Sequence, residues 1–181
     1  MRKRWGVVRR QLWVMPALAA LVLHSPLSVA ASTDASFVPT LVGACTFSPA
    51  TGSLTLDANP TIGALPGTVP VTISGTGMCA GNAGVNVISL SLSGSLSISC
   101  AGGSGTLVGS ASWSTGLPNT QPSMSATVVA GPGTVVLVLD GLAFSAVANL
   151  TWDDPVALAT CPIIGASSTG LIGGLSYASQ S

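Results

Sequence analysis

The sequence predicts an all-β protein: an antiparallel β-sandwich, Ig-like or of a barrel-like variant, preceded by an N-terminal signal helix. Three observations carry that prediction. Apolar residues recur at every second position over long stretches. Glycine- and proline-rich turn formers separate these stretches at near-regular spacing. All four cysteines fall in the part of the chain after the signal. Alternation at period two marks strands with one buried and one solvated face, and many short strands between turns mark an antiparallel sandwich or barrel.

Residues 1–30 read as a secretory signal. Arg2, Lys3, Arg4, Arg9 and Arg10 form a basic opening, Leu12 to Leu23 an apolar core broken only by Pro16, and Ser28-Val29-Ala30 a small-x-small cleavage site. The apolar core is about a dozen residues, too short to span the ~30 Å of a bilayer as a helix. Cleavage is expected after Ala30, with Ala31 the neighbouring alternative. Arg9-Arg10 raises twin-arginine export, but the pair lacks the usual polar residue before it, so the general secretory route is the default. Residues 31–181 then form a single secreted domain with no stable membrane anchor. A chain of ~150 residues suits one core.

Removing the signal changes the charge. The full 181-residue chain balances five basic against five acidic residues. Every Lys and Arg, and the only histidine, His24, lies within residues 1–30. The mature chain carries five aspartates (Asp34, Asp57, Asp140, Asp153, Asp154), no Glu, and a net charge of about −5. Nucleic acid is excluded as a partner, because such binding needs cations to neutralise phosphates. Anionic membranes and phosphorylated ligands are disfavoured for the same reason. Ser–His, Ser–Lys and Cys–His catalysis lack a base, and a histidine metal site cannot form. No cofactor, metal or catalytic residue is therefore assigned.

The strands are read in chain order. Leu54/Leu56 and Val69/Val71/Ile73 are short alternations. In Ser89 to Cys100, Leu90, Leu92, Leu96, Ile98 and Cys100 share one face and serines at 89, 91, 93, 95, 97 and 99 the other. Gly94 interrupts this run, giving one bent strand or two strands meeting at a glycine. Leu107/Ala111/Trp113 and Met124/Ala126/Val128 continue the scheme. Val135 to Leu139 is continuously apolar, the pattern of a strand covered on both faces. Leu142, Phe144, Ala146, Ala148, Leu150 and Trp152 alternate again. Turns are expected at Gly75-Thr76-Gly77, Gly81-Asn82, Gly102-Gly103, Leu117-Pro118-Asn119, Gly131-Pro132-Gly133 and Asp153-Asp154-Pro155. No segment after residue 30 combines helical periodicity with good helix formers. No fixed-length repeat marks a solenoid. Edge strands without lysine leave self-association through those edges open.

Cys45, Cys79, Cys100 and Cys161 are expected to form two disulfides, since they belong to an exported domain and lack the CxxC spacing of zinc or thioredoxin chemistry. Three connectivities exist. Cys45–Cys79 with Cys100–Cys161 is favoured because each ties a strand end to a neighbouring segment.

A ligand surface could draw on Trp113, Trp152, Asp153, Asp154 and Tyr177. The aromatics would stack on a sugar, and the two aspartates would bind calcium or act as an acid–base pair. Against this, Trp113 and Trp152 fall in phase with buried faces. Adjacent aspartates on a strand point to opposite sides, so Asp153-Asp154-Pro155 also reads as a capped turn.

Cys45-Thr46-Phe47-Ser48-Pro49, Gly75-Thr76-Gly77-Met78-Cys79, the Ser/Leu alternation ending at Cys100, and Asp154-Pro155 shortly before Cys161 together give a pattern. It resembles small secreted, disulfide-containing β-rich proteins of actinobacteria. The resemblance implies a secreted bacterial β-sandwich and brings no active site. The functional expectation is a non-enzymatic protein, secreted or in the cell envelope, with a structural or interaction role. The alternatives are a neutral-carbohydrate-binding module using exposed aromatics, then an acid hydrolase using aspartates.

Overall fold

The computed structural model describes residues 41–82, 84–114, 120–141 and 144–179. The expected signal at residues 1–30, Asp34, Leu142 and the turn expected at residues 117–119 lie outside the described residues. The elements run β1 (Val42–Phe47), β2 (Leu54–Ile62), β3 (Gly67–Gly81), β4 (Gly84–Ser99), β5 (Gly102–Trp113), β6 (Thr120–Gly131), β7 (Thr134–Gly141), β8 (Phe144–Trp152), α1 (Pro155–Ile164) and β9 (Ala166–Ser179).

Of the two architectures open to the sequence, the chain adopts the barrel. Each strand pairs antiparallel with its neighbour in the order β3-β2-β9-β8-β7-β6-β5-β4, and β4 pairs back onto β3 to close the wall. β1 and β2 share one stave. Both run antiparallel to β3 and to β9, β1 beside one half of each and β2 beside the other. They are one strand interrupted by an excursion at residues 48–52. A bridge between Ser48 and Gly52 and a 2.8 Å contact between the Ser48 and Thr51 hydroxyls hold the excursion together. Following partners once round the wall returns to β3 about ten residues along. In an eight-stave barrel that stagger tilts the strands by about 40°.

The expected alternation sets what faces inward. In β4, Ile88, Leu90, Leu92, Leu96 and Ile98 are buried while the intervening serines up to Ser97 are exposed. Gly94 does not split the run; β4 is one strand, paired with both neighbours along its length. Inward side chains from every stave fill the interior, with Leu54, Leu56, Ile73, Leu107, Leu137, Leu139 and Leu150 almost wholly buried. Small inward residues (Ala126, Ala146, Ala148) make room for them, the large-and-small alternation by which a narrow barrel is packed. The interior is thus apolar and filled, unlike the polar lumen of a membrane-spanning barrel.

Three expectations are corrected. Gly75-Thr76-Gly77 is not a turn but the middle of β3. Its glycines allow close approach: a side chain at Gly77 would meet the Phe47 ring at 2.5 Å. Val135–Leu139 is covered on one face only, because Val138 is 44% exposed on the outer wall. And a helix does form after residue 30. In α1 the Asp154 carboxylate accepts from Val156 N and Ala157 N at 2.8 and 3.1 Å, Pro155 opens the first turn, and Gly165 lies just past the last. Capping and proline at the start supply what periodicity lacks.

The helix lies across one end of the barrel. It meets the β6–β7 turn where Leu158 covers Gly133, and the end of β2 where Gly165 lies against Thr61 and Ile62. The Cys100–Cys161 disulfide bolts it to the β4–β5 turn. The second bridge, Cys45–Cys79, joins residues directly opposite each other on β1 and β3, beside the interruption of the stave. Both favoured pairings are present, and two disulfides mark an oxidising, extracytoplasmic environment.

The filled interior yields a stability prediction. A side chain at Gly94 would lie 2.8 Å from Thr106 O and 3.0 Å from Leu107 Cδ2, whereas one at Gly67 would meet nothing within 4 Å. Gly94→Val is expected to destabilise by about 1–3 kcal/mol through overpacking, and Gly67→Ala to stay within ~0.5 kcal/mol. Chemical denaturation of the two variants checks the contrast.

Candidate functional site

The fold separates the five residues of the expected ligand surface. Trp113 and Tyr177 are 5% and 4% exposed and point into the barrel at the end away from α1. There Trp113 stacks edge-on against Phe144 with ring centroids 4.7 Å apart, and lies 6.3 Å from the Tyr177 ring. This trio packs that end of the interior, so Trp113 and Tyr177 offer no open stacking face.

Two facing glycines create the slot for the phenol. Gly43 on β1 and Gly81 on β3 are direct partners, and a side chain at Gly43 would strike the Tyr177 hydroxyl at 2.5 Å. Among the described residues, neither Trp113 Nε1 nor the Tyr177 hydroxyl has a hydrogen-bond partner. Burial pushes the Tyr177 pKa above its ordinary value, because the phenolate would lose its hydration.

Trp152, Asp153 and Asp154 sit at the opposite end, where β8 leads into α1. Trp152 is half-buried against the core. Asp154 is the helix cap, and its neighbour Asp153 packs its carboxylate over Gly170. Asp57 and Asp140 lie on the outer wall, on β2 and β7, with β9 and β8 between those staves. Among the described residues, no three His, Cys, Asp or Glu side chains come together in a metal-holding group.

Concave polar surface exists on the outer wall instead. A groove of about 430 Å³ crosses β2, β3 and β4, lined by Asp57, Asn59, Pro70, Thr72, Ser93 and Ser95. Its origin is local. Pairing of β2 with β3 ends at Ala58–Val71, where the next residue of β3 is Pro70, which has no N–H to donate. Pairing of β2 with β9 skips from Asp57 to Ile62. Asn59, Pro60 and Thr61, with a cis bond between Asn59 and Pro60, therefore bulge outward into a ridge. No motif in the sequence announces this groove; its only traces are Pro60 and Pro70 inside otherwise strand-like segments.

The wall carries a second, more apolar depression on β7, β8 and β9. Val138 and Val147 face each other across its floor, and its volume is about 450 Å³.

No family model, curated protein or solved structure matches the chain. What the structure shows is a disulfide-containing, all-β barrel.

Two outcomes test this geometry. Tyr177 is the only tyrosine, so an ultraviolet absorbance titration reads it alone. Its ionisation is expected above the ordinary midpoint of about 10. Because the folded protein holds the phenol neutral where the unfolded chain ionises, stability should be intact below that pH and fall as pH rises through the folded value. Separately, Asp154→Ala should cost ~1 kcal/mol and Asp154→Asn much less, because asparagine also caps; thermal melts of both distinguish the cap from a catalytic carboxylate.

Proposed function

We propose that this is an exported, non-enzymatic protein of the extracellular space or cell envelope that works through its outer wall. The observation that supports this best is the filled barrel. Leucine, isoleucine, valine and aromatic side chains occupy the interior from the α1 end to the Trp113 end. A barrel of this size can hold a small ligand only if its interior is left open.

The remaining chemistry is external. On β3, β4 and β5 the outward positions form rows of hydroxyls: Thr76–Ser89–Ser112, Ser74–Ser91–Ser110 and Thr68–Ser97–Ser104 are direct cross-strand neighbours. Such a wall is uncharged yet well hydrated, a property suited to a module that must stay soluble without cations. The signal at residues 1–30 and the two disulfides support export. A wall lacking lysine, arginine and histidine supports a role without acid–base catalysis.

A neutral-carbohydrate module remains the second reading. Burial of Trp113 and Tyr177 moves its basis from aromatic stacking to the polar groove at Asp57.

Fractionating the host into medium, wall, membrane and cytoplasm, with N-terminal sequencing of the recovered protein, tests the reading. The expected result is a mature chain beginning at Ala31 or Ser32 in medium or wall. Full-length protein in the cytoplasm, or retained in the membrane by an uncut N-terminus, would contradict it.

A further inference from the structure

The groove at the Pro70 seam gathers polar side chains from three strands into one concavity. Some outward hydroxyls are tied back to the chain, as Thr151 is to Ile172 O, while others such as Ser91 and Ser97 are not. Among the described residues, the side chains of Asp57, Asn59, Thr72, Ser93 and Ser95 make no hydrogen bond within the protein. Yet all five face one concavity. Asp57, Thr72 and Ser93 are successive cross-strand partners, so they form one row about 5 Å apart from stave to stave. Asn59 and Ser95 stand one step further along, on either side of Pro70.

The donor and acceptor set decides what this row can hold. Asp57 only accepts, Asn59 both donates and accepts, and the three hydroxyls do either. Neighbouring hydroxyls on a pyranose ring, which also do both, complement that set, and the Pro70 ring offers an apolar contact for the sugar's C–H face. Phosphate, sulfate and uronate ligands are disfavoured, because Asp57 repels them and no cation is present to pair with them. The volume of about 430 Å³ lies within the ~300–1,000 Å³ of small-molecule sites.

We infer that this groove is a subsite for one neutral sugar residue of a glycan, with Asp57 and Asn59 as its principal hydrogen-bonding groups. The inference rests on the outer wall being the working surface and names the ligand class for one part of it. Without an aromatic platform the site is weak, with a dissociation constant in the millimolar range, and a wall polymer would engage it through repetition along its length.

The test is a ¹⁵N-resolved NMR titration of the mature, oxidised protein with glucose, mannose, galactose, arabinose and N-acetylglucosamine, each with its short oligomers. At least one sugar should shift amides at residues 57–59, 70–72 and 93–95 and saturate. Asp57→Ala should weaken that binding about tenfold or more, the loss of a charge-assisted hydrogen bond, with the spectrum otherwise unchanged. Asp57→Asn, which keeps an acceptor, should weaken it less. No response to any sugar would overturn the subsite, as would shifts at those residues from calcium or lysine but not from sugars. Shifts confined to the valine depression would overturn it too. A protein recovered from medium or wall that ignores every sugar would lose the subsite and keep the broader reading.

Discussion

The wall closes between β3 and β4 on one side and, on the other, through the interrupted stave between β3 and β9. That closure is the interaction on which the rest of the structure depends. A β-sheet of this composition has no lysine or arginine after residue 10 with which to guard an exposed edge. Closing the sheet removes the edge altogether, and with it the route to self-association that an open sandwich would leave. It also creates a single inward face, so each strand can bury one set of side chains and present the other to water.

The interrupted stave is the point where closure is most exposed to failure. β1 and β2 are short, and the chain leaves the wall between them. The Cys45–Cys79 bridge sits beside that gap, and Phe47 lies over Gly77 where the two halves come nearest. At the barrel end nearest α1, the Cys100–Cys161 bridge and the Asp154 cap hold a helix of low intrinsic propensity in place. At the other end the Trp113–Phe144–Tyr177 cluster does the equivalent work with ring packing. Where β2 bulges at Asn59–Thr61, the wall departs from regular pairing, and the polar groove is the result.

Much of this was legible in the sequence. The Leu/Ser alternation before Cys100 foretold which residues of β4 face inward, and the favoured cysteine pairs are those formed. Asp154-Pro155 was legible as a capped turn, but the helix behind it was not. Pro155–Ile164 has two prolines, several β-branched residues and no helical stripe, and its stability comes from the cap, the disulfide and contacts with three other segments. Sandwich and barrel could not be separated because the deciding fact, β4 pairing back onto β3 and β9 onto the β1/β2 stave, is long-range register. The aromatic ligand surface dissolved for a related reason: Trp113 and Asp154 are brought to opposite ends by topology. The groove was invisible because its polar residues come from three strands and carry no spacing of their own.

Amide hydrogen exchange under native conditions tests closure most directly. In a closed barrel every stave has neighbours on both sides, so backbone amides in the paired stretches of β3, β4, β8 and β9 should be protected to a degree comparable with those of β6. Fast exchange is expected only at turns, at residues 48–52 and at the Asn59–Thr61 bulge. Rapid exchange along alternate amides of one whole strand, the mark of an open edge, would contradict the barrel and everything argued from its filled interior.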